Sequence, residues 1–139
     1  MMKKKNVKTI KQKGFTLIEL IVVISIILVF AGFLIPKFAG YQVKAKETKA
    51  INTAKQIQNA AMSSYSEMDG KFEKTKVEET ITSLTGAEEV VAAEGADGKS
   101  VTVSYTSDSD TYSVQINDGI SGFQVYKGAA EAATLIYPK

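Results

Sequence analysis

The chain has 139 residues, which is enough for one small domain together with a membrane anchor. It contains no cysteine and no histidine, so we expect no disulfide, no zinc or haem site and no nucleophile–base pair that uses either residue. Six lysines fall within the first fourteen residues, and the remaining 11 lysines stand against 15 acidic residues, a balance of −4. The positive charge therefore belongs to the N-terminal end, and we expect no nucleic-acid-binding surface.

The basic N-terminal stretch leads directly into a long apolar segment. Residues 15–35 read FTLIELIVVISIILVFAGFLI. As a helix these residues would extend about 32 Å, close to the roughly 30 Å hydrocarbon core of a membrane. The preceding lysines indicate that the N-terminal side stays in the cytoplasm and the C-terminus faces outside. A secretory signal peptide is the alternative, but its apolar core is usually only about 7–15 residues long.

A carboxylate stands inside this apolar segment. Glu19 is its fifth residue, and a charged side chain costs roughly 2.5–3.5 kcal/mol at the centre of a spanning helix and less near an end. Such residues usually face a protein partner and mark a function. The alternative is that Glu19 lies near the membrane surface and its carboxylate snorkels into water.

Residues 13–20, Lys-Gly-Phe-Thr-Leu-Ile-Glu-Leu, carry a specific resemblance when read with the segment that follows. Together with the lysines before them, the apolar run to Ile35 and Pro36, they resemble the N-terminus of a type IV prepilin with a class III leader. The resemblance is detailed over residues 10–40 and extends to the rest only in outline. The absence of cysteine is similar to pilins of Gram-positive bacteria.

The resemblance implies a processing and assembly site at the start of the apolar segment. Residues 1–14 would be a basic leader, cut by a prepilin peptidase after Gly14. Phe15 would become the first residue, and its amine would be N-methylated. Glu19 would pair with the N-terminal amine of a neighbouring subunit.

The resemblance also implies a function and a location. The chain would be a structural, non-enzymatic subunit of a type IV pilus, with the major pilin favoured and no cofactor. Its partners would be other copies of itself, minor pilins, the prepilin peptidase and the pilus assembly platform. It would be a single-pass membrane protein before assembly and part of an extracellular pilus afterwards. A pseudopilin of a type II-like secretion system and a membrane-tethered binding domain that never polymerises stay open as alternatives.

The apolar segment ends at a proline. Pro36 cannot donate a hydrogen bond to the carbonyl of Gly32, and its ring crowds that carbonyl, so we expect a kink or a weakened turn between these residues. A tolerated membrane proline is the alternative. The resemblance implies that the helix loosens here within a fibre.

Beyond the proline, residues 36–68 continue the helix as an amphipathic half. The pattern predicts one helix over residues 15–68, ended by Asp69-Gly70, with a head formed by residues 69–139. The apolar stripe recurs at spacings of three, four or seven and consists of Val43, Ala50, Ala54, Ile57, Ala61, Tyr65 and Met68.

The sequence of the first part of the head predicts a short helix followed by a loop. Thr75 and Glu78 have the spacing of a capping box, Ile81 and Leu84 follow on one helical face, and Gly86 is suited to close the helix. The glutamate-containing stretch over residues 86–99 reads as a loop.

The second part of the head has the period of β-strands. Apolar residues alternate with polar ones over residues 101–105, 112–116 and 123–125, and turn signals separate these runs at 107–110 and 117–119. Residues 133–137 are a candidate edge strand. We therefore predict an α+β fold in which the long N-terminal helix packs against a small antiparallel sheet of three to four strands. We expect the aromatic residues of this part to fill the core and pair across strands: Tyr105, Tyr112, Phe123, Tyr126 and Tyr137.

Three carboxylates in the turns invite a calcium interpretation. Asp108 and Asp110 lie at one predicted turn and Asp118 at the next. Calcium takes six to eight oxygen ligands, usually with several carboxylates from one loop. Turn chemistry alone explains all three residues, so we expect no metal there.

Overall fold

The computed structural model describes residues 13–118, 123–128 and 133–138. The chain divides into two compact units, with the boundary between Gly40 and Tyr41. The predicted long helix is confirmed: helix α1 begins at Leu17 and ends at Glu67. It ends there because Asp69 and Gly70 both have positive φ angles, 54° and 77°, which a right-handed helix does not accommodate.

The second unit contains a further helix and one antiparallel sheet. Helix α2 is followed by five strands in the order β1-β2-β3-β4-β5, each paired with its sequence neighbour. The predicted α+β class is confirmed, but the sheet has five strands where three to four were predicted. The bounds are α2 Lys74–Thr85, β1 Val91–Glu94, β2 Ser100–Ser107, β3 Asp110–Asn117, β4 Gln124–Lys127 and β5 Thr134–Tyr137.

The second unit has a single apolar core shared by the helices and the sheet. Small residues of α1, including Ala50, Ala54 and Ala61, are fully buried, which lets the inward face of the sheet approach this helix closely. The inward sheet residues alternate along β2 as Val101, Val103 and Tyr105. The sheet therefore covers this part of α1 as the period-two pattern predicts. The two ends of the predicted stripe lie outside this core: Val43 is 52% exposed and Met68 is half-buried.

The hairpin between β2 and β3 confirms the predicted turn at residues 107–110. Ser107 pairs with Asp110 across the strands, which leaves a two-residue loop. Asp108 and Ser109 both have positive φ angles, 50° and 69°, as the tight hairpin turns require. The next predicted turn includes Gly119, which lies outside the described residues.

Strand β1 occupies part of the stretch that we expected to be a loop. It is a four-residue strand at the edge of the sheet, and only Ala92 in it is buried. Alanine has a low strand propensity, and so short a segment shows little alternation. Its position depends on a contact distant in sequence, because the Ala92 N–H donates to Glu78 Oε1 at 2.8 Å.

The predicted capping box of α2 is wrong because the start of this helix, like strand β1, depends on a contact distant in sequence. The helix begins at Lys74, with Glu73 as its N-cap, so Thr75 lies within the first turn. The Lys74 N–H donates to Glu94 Oε2 at 3.3 Å, and Glu78 turns to β1 instead of back to the helix start. The predicted closure at Gly86 is confirmed by its φ of 65° and by its N–H bond to the Thr82 carbonyl. Leu84, predicted on the apolar face, is 66% exposed.

Two buried tyrosines offer a matched test of core hydrogen bonding. The Tyr105 hydroxyl donates to the Ala50 carbonyl at 2.7 Å, and burial raises the pKa of this hydroxyl, which keeps it protonated. We expect Tyr105→Phe to lower the free energy of unfolding by about 1 kcal/mol. Thermal unfolding of the detergent-solubilised chain measures the effect, which would lower Tm by about 4–8 °C for a unit of this size.

Tyr112 is the control for this measurement. It stacks on Tyr105 with ring centroids 5.8 Å apart, but its buried hydroxyl has no hydrogen-bond partner among the described residues. Removing an unpartnered hydroxyl leaves the free energy of unfolding unchanged or raises it. Equal losses in Tyr105→Phe and Tyr112→Phe would contradict the assignment of the Tyr105 bond as a stabilising contact.

Candidate functional site

The N-terminal end of α1 places the predicted processing residues before the helix. Gly14 and Phe15 lie outside the helical turns that begin at Leu17, and Phe15 is 84% exposed. A side-chain atom added at Gly14 would meet no other atom within 4 Å. The bond between Gly14 and Phe15 is therefore open to an enzyme from the side of the described residues. Most of the predicted leader, residues 1–12, lies outside the described residues.

Thr16 and Glu19 form a reciprocal cap at the first turn of α1. The Thr16 N–H donates to Glu19 Oε2 at 2.8 Å, and the Glu19 N–H donates to Thr16 Oγ1 at 3.3 Å. This is the capping-box arrangement, which satisfies two backbone donors that have no partner within the helix. Our sequence analysis missed the role of Thr16, although the spacing of Thr16 and Glu19 signals it. The cap engages Oε2 and leaves Oε1 without a described hydrogen bond.

The helix that follows is apolar on all sides within the first unit. Large apolar side chains from Leu17 to Phe38 are exposed by 48% or more, with no polar face between them. A helix that is hydrophobic all round needs a non-aqueous or protein environment. By length and composition, α1 contains a helix able to cross a membrane, the one such helix found among the described residues. Phe15, Ile18 and Val22 line a shallow apolar groove beside Glu19.

Gly32 and Pro36 both lie inside α1. The helix is continuous through Pro36, and a side-chain atom added at Gly32 would meet no other atom within 4 Å. The weakened turn between these residues stays a prediction.

The three calcium candidates are not brought together. Asp108 forms an ion pair with Lys49 at 2.7 Å, and Asp110 forms one with Lys127 at 3.1 Å. Within residues 13–118, 123–128 and 133–138, no group of three or more acidic, histidine or cysteine side chains is arranged to hold a metal ion. Asp108 and Asp110 instead hold lysines of α1 and β4.

Most of the aromatic residues of the sheet lie in the apolar core or pack against it. Tyr105, Tyr112 and Phe123 are buried, and Tyr126 and Tyr137 are half-buried. Phe123 stacks on Tyr137 with ring centroids 5.2 Å apart. The predicted core and cross-strand packing is confirmed for Tyr105, Tyr112, Phe123 and Tyr137. Tyr126 does not belong to the core, and its hydroxyl donates to Gln124 Oε1 at an exposed position.

Comparison with known proteins agrees with this geometry. The family model of the prokaryotic N-terminal methylation motif matches residues 10–35, which include Gly14, Phe15 and Glu19. The type IV major pilin protein PilA of Myxococcus xanthus is 39% identical over 59 residues, which cover 42% of this chain and 27% of that protein. A fimbrial protein of Pseudomonas aeruginosa is 29% identical over 97 residues, which cover 63% of each chain.

A protein of a secretion system is similar to the chain over a segment of comparable length. The type II secretion system core protein G of Escherichia coli is 44% identical over 52 residues, which cover 37% of this chain and 36% of that protein. The chain thus spans between 27% and 63% of the length of these relatives. No solved structure matches the chain significantly.

The methylation motif and the apolar helix that could cross a membrane support a pilin-like protein. The motif and the named relatives together support a type IV pilin with a class III leader.

Proposed function

We propose that the chain is a structural subunit of a type IV pilus, with the major pilin as the favoured form. In this proposal the leader is cut after Gly14, Phe15 becomes the N-methylated first residue, and the subunits polymerise through the apolar helix. The observation that carries the proposal is the coincidence of the methylation motif with an exposed Gly14–Phe15 junction directly before that helix.

The proposed pairing of Glu19 follows from its position at the helix start. Cleavage would create a positively charged amine on Phe15, and N-methylation keeps that charge. A carboxylate in the first turn is favoured by the positive end of the helix dipole. Thr16 holds Glu19 Oε2, which leaves Oε1 for the amine of a neighbouring subunit, since a carboxylate accepts several hydrogen bonds. An ion pair inside an apolar bundle would remove the cost of the unpaired charge.

The proposed partners and location follow from the same role. The subunit would lie in the membrane with its C-terminus outside until assembly, and then on the cell surface within a filament of its own copies. Minor pilins, the prepilin peptidase and an assembly platform would act on it during this transition. Pilin and fimbrial relatives support this proposal, and an enzymatic activity is not part of it.

Mass spectrometry of the protein extracted from membranes tests the processing step. We expect a mature chain that begins at Phe15 and carries one added methyl group. An intact leader would overturn the assignment and favour the membrane-tethered binding domain. If the leader is removed, shearing of cells then separates a pilus subunit from a pseudopilin, because a pilus subunit is released as filaments.

A pseudopilin of a type II-like secretion system is the second candidate. It is favoured by the similarity to type II secretion core protein G of Escherichia coli and of Vibrio cholerae, the latter 40% identical over 50 residues. Deletion of the gene distinguishes the two. Loss of a secreted protein with no loss of surface filaments would indicate the pseudopilin.

A further inference from the structure

Two surfaces of the second unit have opposite charges, and each combines its charges with exposed apolar side chains. We call residues 41–49 of α1 the stem segment. It precedes Ala50, the first buried residue of α1, and all of its residues except the half-buried Glu47 are exposed. Tyr41 is 67% exposed and Val43 is 52% exposed. The segment holds three lysines and one glutamate.

The second surface lies on α2 and β1. Residues 78–94 contain five glutamates and no lysine. Two large apolar side chains are exposed within this stretch, Leu84 by 66% and Val91 by 56%. Five exposed residues of α2, β1 and the loop between them form what we call the acidic patch: Glu79, Leu84, Glu88, Glu89 and Val91. The exposed Glu94 is left out because its carboxylate accepts the Lys74 N–H.

Most charges of the two surfaces have no ion-pair partner within the described residues. The three ion pairs there are Lys49–Asp108, Lys76–Glu67 and Lys127–Asp110. They use Lys49 of the stem segment but leave Lys44 and Lys46, and they use no residue of the acidic patch. Each of the two surfaces thus combines exposed apolar side chains with charges of one predominant sign, and opposite charges favour a specific contact between two such surfaces.

We propose that the acidic patch of one copy docks on the stem segment of the next copy. The proposal rests on the proposed fibre function and names the contact between heads and helices that would accompany polymerisation. Because the two surfaces differ, the contact is heterologous, and each copy keeps one free surface of each kind. A heterologous contact that does not close into a ring generates an open helical filament. The complementary charges would select the register in which each copy is added.

Charge reversal tests this contact in the full chain. The variants are expressed in cells whose surface filaments are recovered by shearing. The double variants Lys44→Glu/Lys46→Glu and Glu79→Lys/Glu88→Lys change side chains that make no hydrogen bond or ion pair within the described residues. We expect each to reduce the yield of sheared filaments about fivefold or more, since a lost contact recurs at every subunit. Combining all four changes restores the opposite signs and should restore most of the yield.

Two single reversals, each with half the charge change of a double variant, serve as controls for a changed charge of either sign outside the two surfaces. Lys99→Glu and Asp118→Lys alter exposed residues that belong to neither surface, and we expect them to leave the filament yield unchanged. Unchanged yield in the stem and patch variants, with normal wild-type filaments, would overturn the docking contact but not the fibre. Absence of filaments in the wild type would overturn the proposed function, and the docking contact with it.

Cysteine pairing locates the contact directly, because the chain contains no cysteine of its own. Copies with Lys46→Cys and copies with Glu88→Cys are produced together, and sheared filaments are oxidised. We expect disulfide-linked dimers only when both variants are present, and none when Asp118→Cys replaces Glu88→Cys. Dimers formed by either variant alone would contradict the heterologous contact, and so would linkage of Lys46→Cys to a different protein.

Discussion

Glu19→Gln is expected to prevent filament assembly while leaving removal of the leader intact. Glutamine keeps a side-chain oxygen that can accept the Thr16 N–H bond, so the cap of α1 persists. It removes the negative charge and thereby leaves the amine of the neighbouring subunit unpaired in an apolar environment. Removing one partner of a buried ion pair costs about 3–5 kcal/mol, which corresponds to a loss of at least about hundredfold in assembly.

The matched control for this prediction is Thr16→Ala. It removes the hydroxyl that accepts the Glu19 N–H bond but keeps the carboxylate, and a lost cap costs only about 0.5–2 kcal/mol. Filament yield is measured by shearing, and leader removal by the mass of the membrane-extracted chain. Normal filaments from Glu19→Gln would show that assembly does not need the charge of Glu19. A defect in Thr16→Ala as large as that in Glu19→Gln would show that the cap matters as much as the charge.

Gly14→Leu is expected to leave the leader attached and thereby to abolish filaments. The structure gives this substitution a clean interpretation, because a side-chain atom at residue 14 meets no other atom within 4 Å. The added Cβ therefore displaces no described atom, so we expect the effect to report recognition by the peptidase. The measurement is the mass of the chain extracted from membranes, in which we expect essentially no species beginning at Phe15.

Gly40→Leu is the comparison for leader removal. A side-chain atom added at Gly40 would likewise meet no atom within 4 Å apart from its chain neighbours and its own helix backbone, but Gly40 lies outside the matched motif at residues 10–35. We expect its leader to be removed as in the wild type. Efficient cleavage of Gly14→Leu would place the processing site elsewhere and remove the basis for the methylated Phe15.

The parts of the fold that follow a local period were predictable from the sequence. An uninterrupted apolar run, followed by an apolar stripe that includes Ala50 and Ile57, predicts helix α1. Burial alternates along all of β2, and the apolar residues of β3 recur at every second position over residues 112–116; a turn rich in Asp and Ser joins the two strands. In these elements local propensity and burial agree, so one chain segment contains the whole signal.

The parts that depend on contacts distant in sequence were not predictable. Strand β1 and the start of α2 are set by the carboxylates of Glu78 and Glu94, which bond to backbone donors 14 and 20 residues away. Glu78 satisfies the spacing of a local cap equally well, and sequence alone does not decide between the two partners. At the candidate site the motif predicts Gly14, Phe15 and Glu19, whereas the bonds between Glu19 and Thr16 were not predicted, although the spacing of the two residues is local.

The bond between Glu78 and Ala92 protects the edge of the sheet when many copies of the head lie close together. An edge strand with free backbone donors invites pairing with the edge of another sheet, which leads to aggregation. In the proposed fibre, copies of β1 are held at very high local concentration. The Glu78 carboxylate occupies the Ala92 N–H and brings a negative charge to that edge, so the sheets of adjacent copies resist fusing.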